Sequence, residues 1–215
     1  MTILAVAAAA IIGETATADY LSNCPIARQQ FAIIDMADTR KILWESRIFR
    51  VVRACPDAEN PGADARDIIE HPGAVVILPM VDEGHVCLIE NYRIAVRQTL
   101  VELPAGTLEE GEQPIETAHR ELAEETGFRA STMEPLCEFF MSPGILQERM
   151  HLFLATGLTA GEPALEPDEV IQPRIVTWAD AVQMAMAGGI QDAKSLTGIL
   201  LYEALRRDES DPVAP

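Results

Sequence analysis

Three glutamates, Glu121, Glu124 and Glu125, stand at i, i+3 and i+4 in a stretch that reads as a helix. At 100° per residue they share an arc of about 100° on one helix face, so three carboxylates converge. Like charges at these spacings cost a helix about 0.2–0.5 kcal/mol per pair, and the turn before Gly127 is the negative end of the macrodipole. Arg120 can partly offset Glu124 at i+4, in the less favourable order, and nothing on the helix is expected to neutralise Glu121 or Glu125. A hard divalent cation would. Glu-Glu pairs on surface helices are commonly just solvated, so the triplet taken alone leaves both readings open.

The carboxylates need a rigid support, and the flanking pattern supplies one. Residues 114–126 predict a helix: Pro114 in the first turn, Glu116 behind it, Ile115, Ala118 and Leu122 at helical spacing, and Gly127 as a stop. From 42 to 92 the pattern is strand-like, with runs at 49–54 and 65–70 separated by Asn60-Pro61-Gly62. Runs at 75–78 and 86–89 flank Asp82-Glu83-Gly84, which reads as a hairpin loop. After the helix, apolar runs at 136–141 and 150–155 are split by Ser142-Pro143-Gly144. Residues 157–173 are rich in Gly, Pro and Glu and read as a long loop of the kind that closes over a site. Helices are expected at 179–187 and 193–207, and a frayed tail at 208–215. The result is a largely antiparallel or mixed sheet with helices.

Composition limits what such a site can meet. The chain has 215 residues, 48% of them hydrophobic and 23% charged, enough for one domain with a sizeable core. A net charge of −18 with no basic run argues against nucleic acid as a partner, and an anionic substrate would need cations to bridge it to so acidic a protein. Cys24, Cys55, Cys87 and Cys137 show no zinc spacing with one another or with His71, His85, His119 or His151, so reduced cysteines and a cytoplasmic location are expected. The apolar, Ala-rich stretch 3–12 precedes a small-residue Ala16-Thr17-Ala18, but no Lys or Arg stands before it and ten residues cannot span a bilayer. Export and membrane insertion are therefore not expected. Residues 1–38 are read as an extension with no requirement to be ordered, 39–207 as the domain.

Wider spacing decides the reading of the triplet. Gly106, five residues, Glu112, seven residues, then Arg120-Glu121-Leu122-Ala123-Glu124-Glu125-Thr126-Gly127-Phe128 matches the Nudix box at every fixed position. Seven fixed identities, each at a frequency of about one in fifteen, make a chance match of order one in a million or rarer. The chain therefore resembles the Nudix hydrolases. That resemblance implies an α+β Nudix fold, a mixed β-sheet sandwiched between α-helices, and Mg²⁺-dependent hydrolysis of a nucleoside diphosphate linked to another moiety, with Mn²⁺ as a substitute. It implies Glu121, Glu124 and Glu125 as metal ligands with the carbonyl of Ala105, Glu125 also acting in catalysis, and Arg120 with Glu112 as a supporting ion pair.

The flanks extend the resemblance to the ADP-ribose pyrophosphatase branch: Glu70-His71-Pro72-Gly73-Ala74-Val75, Asn91-Tyr92-Arg93, Glu102-Leu103-Pro104-Ala105-Gly106, Ser142-Pro143-Gly144 and Asp192-Ala193-Lys194-Ser195-Leu196. Pro143 lies sixteen residues beyond Gly127, where that branch carries a proline. Arg93 is the candidate for gripping the diphosphate, because a guanidinium matches phosphate oxygens in a planar fork. Glu102 and Glu148 are candidates for contact with a ribose or a metal-held water, a simple salt bridge being the alternative. The branch implies a loop glutamate as base, with Glu169 preferred to Glu166. It also implies a homodimer whose N-terminal strands help complete the neighbouring site. The expected reaction is cleavage of ADP-ribose to AMP and ribose 5-phosphate. Hydrolysis of another nucleoside diphosphate sugar, or non-catalytic ADP-ribose binding, are the alternatives.

Overall fold

Seven consecutive buried residues open the strand Ala74–Asp82, too many for one face of a sheet whose side chains alternate. In the computed structural model, which describes residues 39–55, 64–165 and 170–210, they face two separate helical layers. The elements in chain order are β1 (Thr39–Glu45), β2 (Arg50–Cys55), β3 (Arg66–Glu70), β4 (Ala74–Asp82), β5 (His85–Arg93), β6 (Gln98–Glu102) and β7 (Ala105–Thr107), then α1 (Pro114–Thr126). β8 (Arg129–Ser142), β9 (Leu146–Thr159), β10 (Ile171–Thr177), α2 (Trp178–Met186) and α3 (Ala193–Ser210) follow.

The described strands form one mixed sheet in the order β1-β2-β3-β9-β4-β5-β10, with β6 on β5, β7 on β4 and β8 on β9. β9 runs parallel to both β3 and β4, and the other pairings are antiparallel. On one face Val76, Leu78 and Met80 pack with Leu152, Trp178, Ala181 and Ile199, which holds α2 and α3. On the other Val75 and Ile77 pack with Ala118, Leu122, Phe153 and Ala155, which holds α1. Full burial of Leu122 alone contributes about 1.5–3 kcal/mol. The sheet between helices expected from the sequence is therefore present.

Strand lengths differ from expectation. β8 and β9 each run 14 residues: the expected run 150–155 is the buried middle of β9, whereas 136–141 is the C-terminal part of β8, a strand of alternating half-buried and exposed side chains whose buried residue, Met133, lies outside that run. Pro135 is accommodated beside a register shift between Leu152 and Phe153 of β9. The expected loop 157–173 is shortened at both ends, since β9 continues to Thr159 and β10 starts at Ile171. Pro173 lies in β10, which among the described strands pairs only with β5. An edge strand tolerates the missing donor. The expected tail also begins late, because α3 extends to Ser210.

One topological feature positions the site. The β4–β5 hairpin pairs only at Met80 with Val86 and Asp82 with His85, then splays. Into the gap run β6, bound to β5, and β7, bound to β4, with the Ile77 N–H donating to the Pro104 carbonyl at 2.9 Å. Residues 102–107 are thus wedged between the two halves of the sheet, directly in front of α1.

Candidate active site

The helix that carries the carboxylates is fixed at both ends. The Glu116 carboxylate accepts from the Gln113 N–H at 3.1 Å, Pro114 occupies the first turn, and Gly127 ends the helix in the left-handed region at φ 77°. Its last turn contains no basic residue, so Glu124 and Glu125 at the negative end of the dipole are compensated from outside that turn.

Glu121 and Glu125 are buried, and the wedge receives both. Glu125 Oε2 accepts from the Ala105 N–H at 2.9 Å. Glu121 lies over Gly106, where a Cβ would fall inside its carboxylate. Arg120 then closes the group: Nε and Nη2 donate to Glu112 at 3.1 and 3.0 Å, while Nη1 donates to Glu121 at 2.7 Å and to Glu124 at 3.0 Å. The expectation that nothing on the helix neutralises Glu121 is corrected here. Adjacent helix residues do not face each other, but the long arginine side chain folds back to reach its neighbour. The Arg120 hydrogen bond holds the Glu112 carboxyl below the usual carboxylate range, and the carboxylates around Arg120 keep its guanidinium charged.

Among the described residues no three His, Cys, Asp or Glu side chains gather tightly enough to hold a metal as they stand. The reason is local: Arg120 Nη1 is shared by Glu121 and Glu124, while Glu125 turns to Ala105. The donor set nonetheless suits a hard cation, with oxygen donors only, two of them buried, and a side-chain-free seat at Gly106. A cation would draw Glu121 and Glu124 from Arg120, whose two bonds to Glu112 can remain.

A cleft of about 1090 Å³ opens over this helix, lined by Arg93, Ala105, Gly106 and the three glutamates, with His71 and Tyr92 on its walls. Arg93 forks onto Glu102 through Nε at 2.9 Å and Nη2 at 2.7 Å, which leaves Nη1 outside the fork. That fork chiefly, with added attraction from Glu125 and Asp192 and against the effect of burial, favours its charged form. Glu102 itself is 1% exposed and is also held by Lys194 at 2.5 Å. Glu102 thus makes the salt bridge that the sequence offered as one of its two readings, and it does not line the cleft.

Other expected residues lie elsewhere. Pro143 is on the exposed turn between β8 and β9 and does not line the cleft. Glu148 is one residue removed from it, 3.7 Å from Nδ1 of His71. Glu166 and Glu169 fall outside the described residues, but both flanks of that stretch adjoin the site. The Ala164 N–H donates to the Glu124 carbonyl at 2.9 Å, and Val170 lines the cleft. Cys87 and Cys137 are free thiols, and burial pushes the Cys87 thiol up to about 11. No helix among the described residues is long and apolar enough to cross a membrane. Sequence reasoning missed the seat that Gly106 makes for Glu121 and the contact of Lys194 with Glu102. The first had a signal in the fixed glycine; the second had none beyond a lysine near a helix start.

A buried carboxylate helix facing an arginine across a cleft, on a split mixed sheet, defines a hydrolase site for anionic diphosphates handled through cations. The sequence matches the NUDIX domain over residues 70–197, and the chain belongs to the Nudix family as a pyrophosphate hydrolase, a family whose members generally use divalent metal ions. It is 40% identical over 157 residues to an ADP-ribose pyrophosphatase of Bacillus subtilis, covering 70% of this chain and 85% of that one. It is 39% identical over 176 residues to a methanol dehydrogenase activator of Bacillus methanolicus, covering 77% and 95%. The fold also resembles the crystal structure of an ADP compounds hydrolase, with a TM-score of 0.64, 24% identity, and coverage of 79% of this chain and 94% of that one.

Proposed function

We propose that the protein hydrolyses the diphosphate of ADP-ribose to AMP and ribose 5-phosphate, with Mg²⁺ as its cation and Mn²⁺ as a substitute. The observation that carries this reading is the placement of Arg93 on the wall of the cleft that the three carboxylates line. An anion of two adjacent phosphates can then meet a guanidinium on one side and carboxylate-held charge on the other. Likeness to the Bacillus subtilis ADP-ribose pyrophosphatase supports the choice of the adenosine diphosphate sugar.

In this reading Glu121, Glu124, Glu125 and the Ala105 carbonyl hold the cation, and Arg120 on Glu112 orients the helix face. Arg93 fixes the diphosphate through the edge that its fork to Glu102 leaves open. Glu169, or failing it Glu166, orients or deprotonates the attacking water. What a divalent cation supplies when bound is neutralisation of diphosphate oxygens and acidification of that water. The partner is a small molecule, the protein works in the cytoplasm, and it pairs with a second copy through its N-terminal strands. Ile42, Leu43, Trp44 and Ile48, on β1 and the turn after it, are all exposed there.

The test is a substrate panel with Mg²⁺ that reads nucleoside monophosphate release. ADP-ribose is expected to give a higher kcat/KM than GDP-mannose, UDP-glucose or any nucleoside triphosphate. A triphosphate cleaved best would overturn the substrate while leaving the family intact; a better nucleoside diphosphate sugar would change the attached moiety only. Binding without turnover would mark a sensor.

A further inference from the structure

Behind Arg93 lies a cluster of charges that the hydrolytic reading leaves without a task. Glu102, at the end of β6, is 1% exposed and receives Arg93 on one side and Lys194 on the other. Lys194, itself 8% exposed, also contacts Asp192 at 2.9 Å. The Ser195 hydroxyl donates to Asp192 and accepts from the Leu103 N–H at 2.7 Å, so the start of α3 is tied to the wedge next to Glu102 and two residues before Ala105, which lines the cleft. Two carboxylates meet two cations, and the cluster is neutral as a unit. Buried charges persist only when paired in this way.

The two cations on Glu102 are not equivalent. Lys194 is buried, whereas the Arg93 side chain is 42% exposed and lines the cleft. With Lys194 present, the Glu102 charge is shared, and Arg93 keeps attraction to spare for an anion in the cleft. Without it Arg93 would be the sole counter-charge of a buried carboxylate, drawn inward at the expense of anything outside. We propose that Lys194 is a positioning residue: it acts through Glu102 to hold Arg93 in place and to leave its charge available to the diphosphate. This inference rests on the reading that Arg93 grips the diphosphate, and it adds the C-terminal helix to the substrate-binding machinery without giving it any contact with substrate.

The test is steady-state kinetics on ADP-ribose with saturating Mg²⁺ for Lys194→Met, Lys194→Arg, Glu102→Gln, Arg93→Met and the double variant Glu102→Gln/Lys194→Met. Lys194→Met is expected to raise KM about tenfold with kcat within about threefold of the wild type, and Lys194→Arg to restore KM to within about threefold. In the Glu102→Gln background, Lys194→Met should change KM by less than about twofold, because the route to Arg93 is already cut. A general loss of packing would act in both backgrounds alike. Should Lys194→Met alone fail to fold, Glu102→Gln against the double variant decides, since that pair discards one charge of each sign. A further rise in KM there would overturn the proposal, as would an unchanged KM in Lys194→Met. If Arg93→Met leaves KM unchanged, the reading of Arg93 fails; if Arg93→Met raises KM and Lys194→Met does not, only the present inference fails.

Discussion

The Ala105 N–H donates to Oε2 of Glu125 at 2.9 Å, joining the wedge between the split strands to the last turn of the carboxylate helix. The residue whose carbonyl is the expected extra ligand thus also sets the angle of one of the three glutamates. At Glu125 strand and helix meet through a backbone donor, so a substitution that preserves the acceptor separates charge from geometry.

Glu125→Gln is that substitution. The amide oxygen can still accept from Ala105, while the cation-facing charge is gone. We expect kcat to fall by about a hundredfold or more with the melting temperature near that of the wild type. Wild-type activity at saturating Mg²⁺ would remove Glu125 from the ligand set.

Gly106→Ala tests the seat of Glu121. The added methyl must displace the carboxylate, an overpacking that costs about 1–3 kcal/mol. Activity should drop by about a hundredfold, and a titration with Mn²⁺ should show weakened metal affinity. Unaltered metal affinity would mean that Glu121 is not a ligand.

Glu169→Gln should lower kcat strongly and KM little, because a group that orients or deprotonates water acts mainly in the transition state. Glu166→Gln is the control. Kinetics at several pH values, with Mg²⁺ saturating, distinguish a lost base from weakened metal binding. A crippled Glu166→Gln with an active Glu169→Gln would reverse the assignment, and two active variants would move the base elsewhere.

Stability should depend on pH through His71. Burial pushes its imidazole below the ordinary 6.5, against the pull of Glu148, and its Nδ1 accepts from the Gly73 N–H at 3.2 Å, a bond that only the neutral ring can make. The depressed folded value means that this contribution is complete above 6.5 and is lost as pH falls through that lower value. Urea midpoints at about pH 7.5 and about pH 5.5 should therefore differ less in His71→Asn than in the wild type. Equal differences would assign the acid sensitivity to other groups.

The exposed Trp44, whose ring lies tilted at 46° to that of Phe49 with centroids 5.2 Å apart, should be covered in a homodimer. Light scattering should give twice the 23.5 kDa of the chain, and Trp44→Ser should shift the equilibrium toward monomer. A monomeric wild type at micromolar concentration would refute the pairing.

Legibility in the sequence followed the range of the interaction. The bounds of α1 could be read to the residue because Pro114, the Ile115, Ala118 and Leu122 spacing and Gly127 are all local signals. β8 was legible only in its C-terminal part and β9 only in its middle, because alternation spreads the remaining apolar residues too thinly to stand out as runs. At the site, the box placed three carboxylates on one face but not the reach of Arg120 Nη1, which depends on a rotamer. The pair Lys194 and Glu102, 92 residues apart, left no periodic trace at all, since only the sheet brings them together.

The two-sided burial of β4 also bears on how this chain can vary. Its successive side chains feed different layers, so an insertion or deletion of one residue within it would hand each layer the other's set. Exchanging one aliphatic for another there asks only for a modest repacking. Lineages of this protein should therefore tolerate drift in the identity of these residues far more readily than any change in their number, and indels should accumulate in the connections beyond the strand's ends.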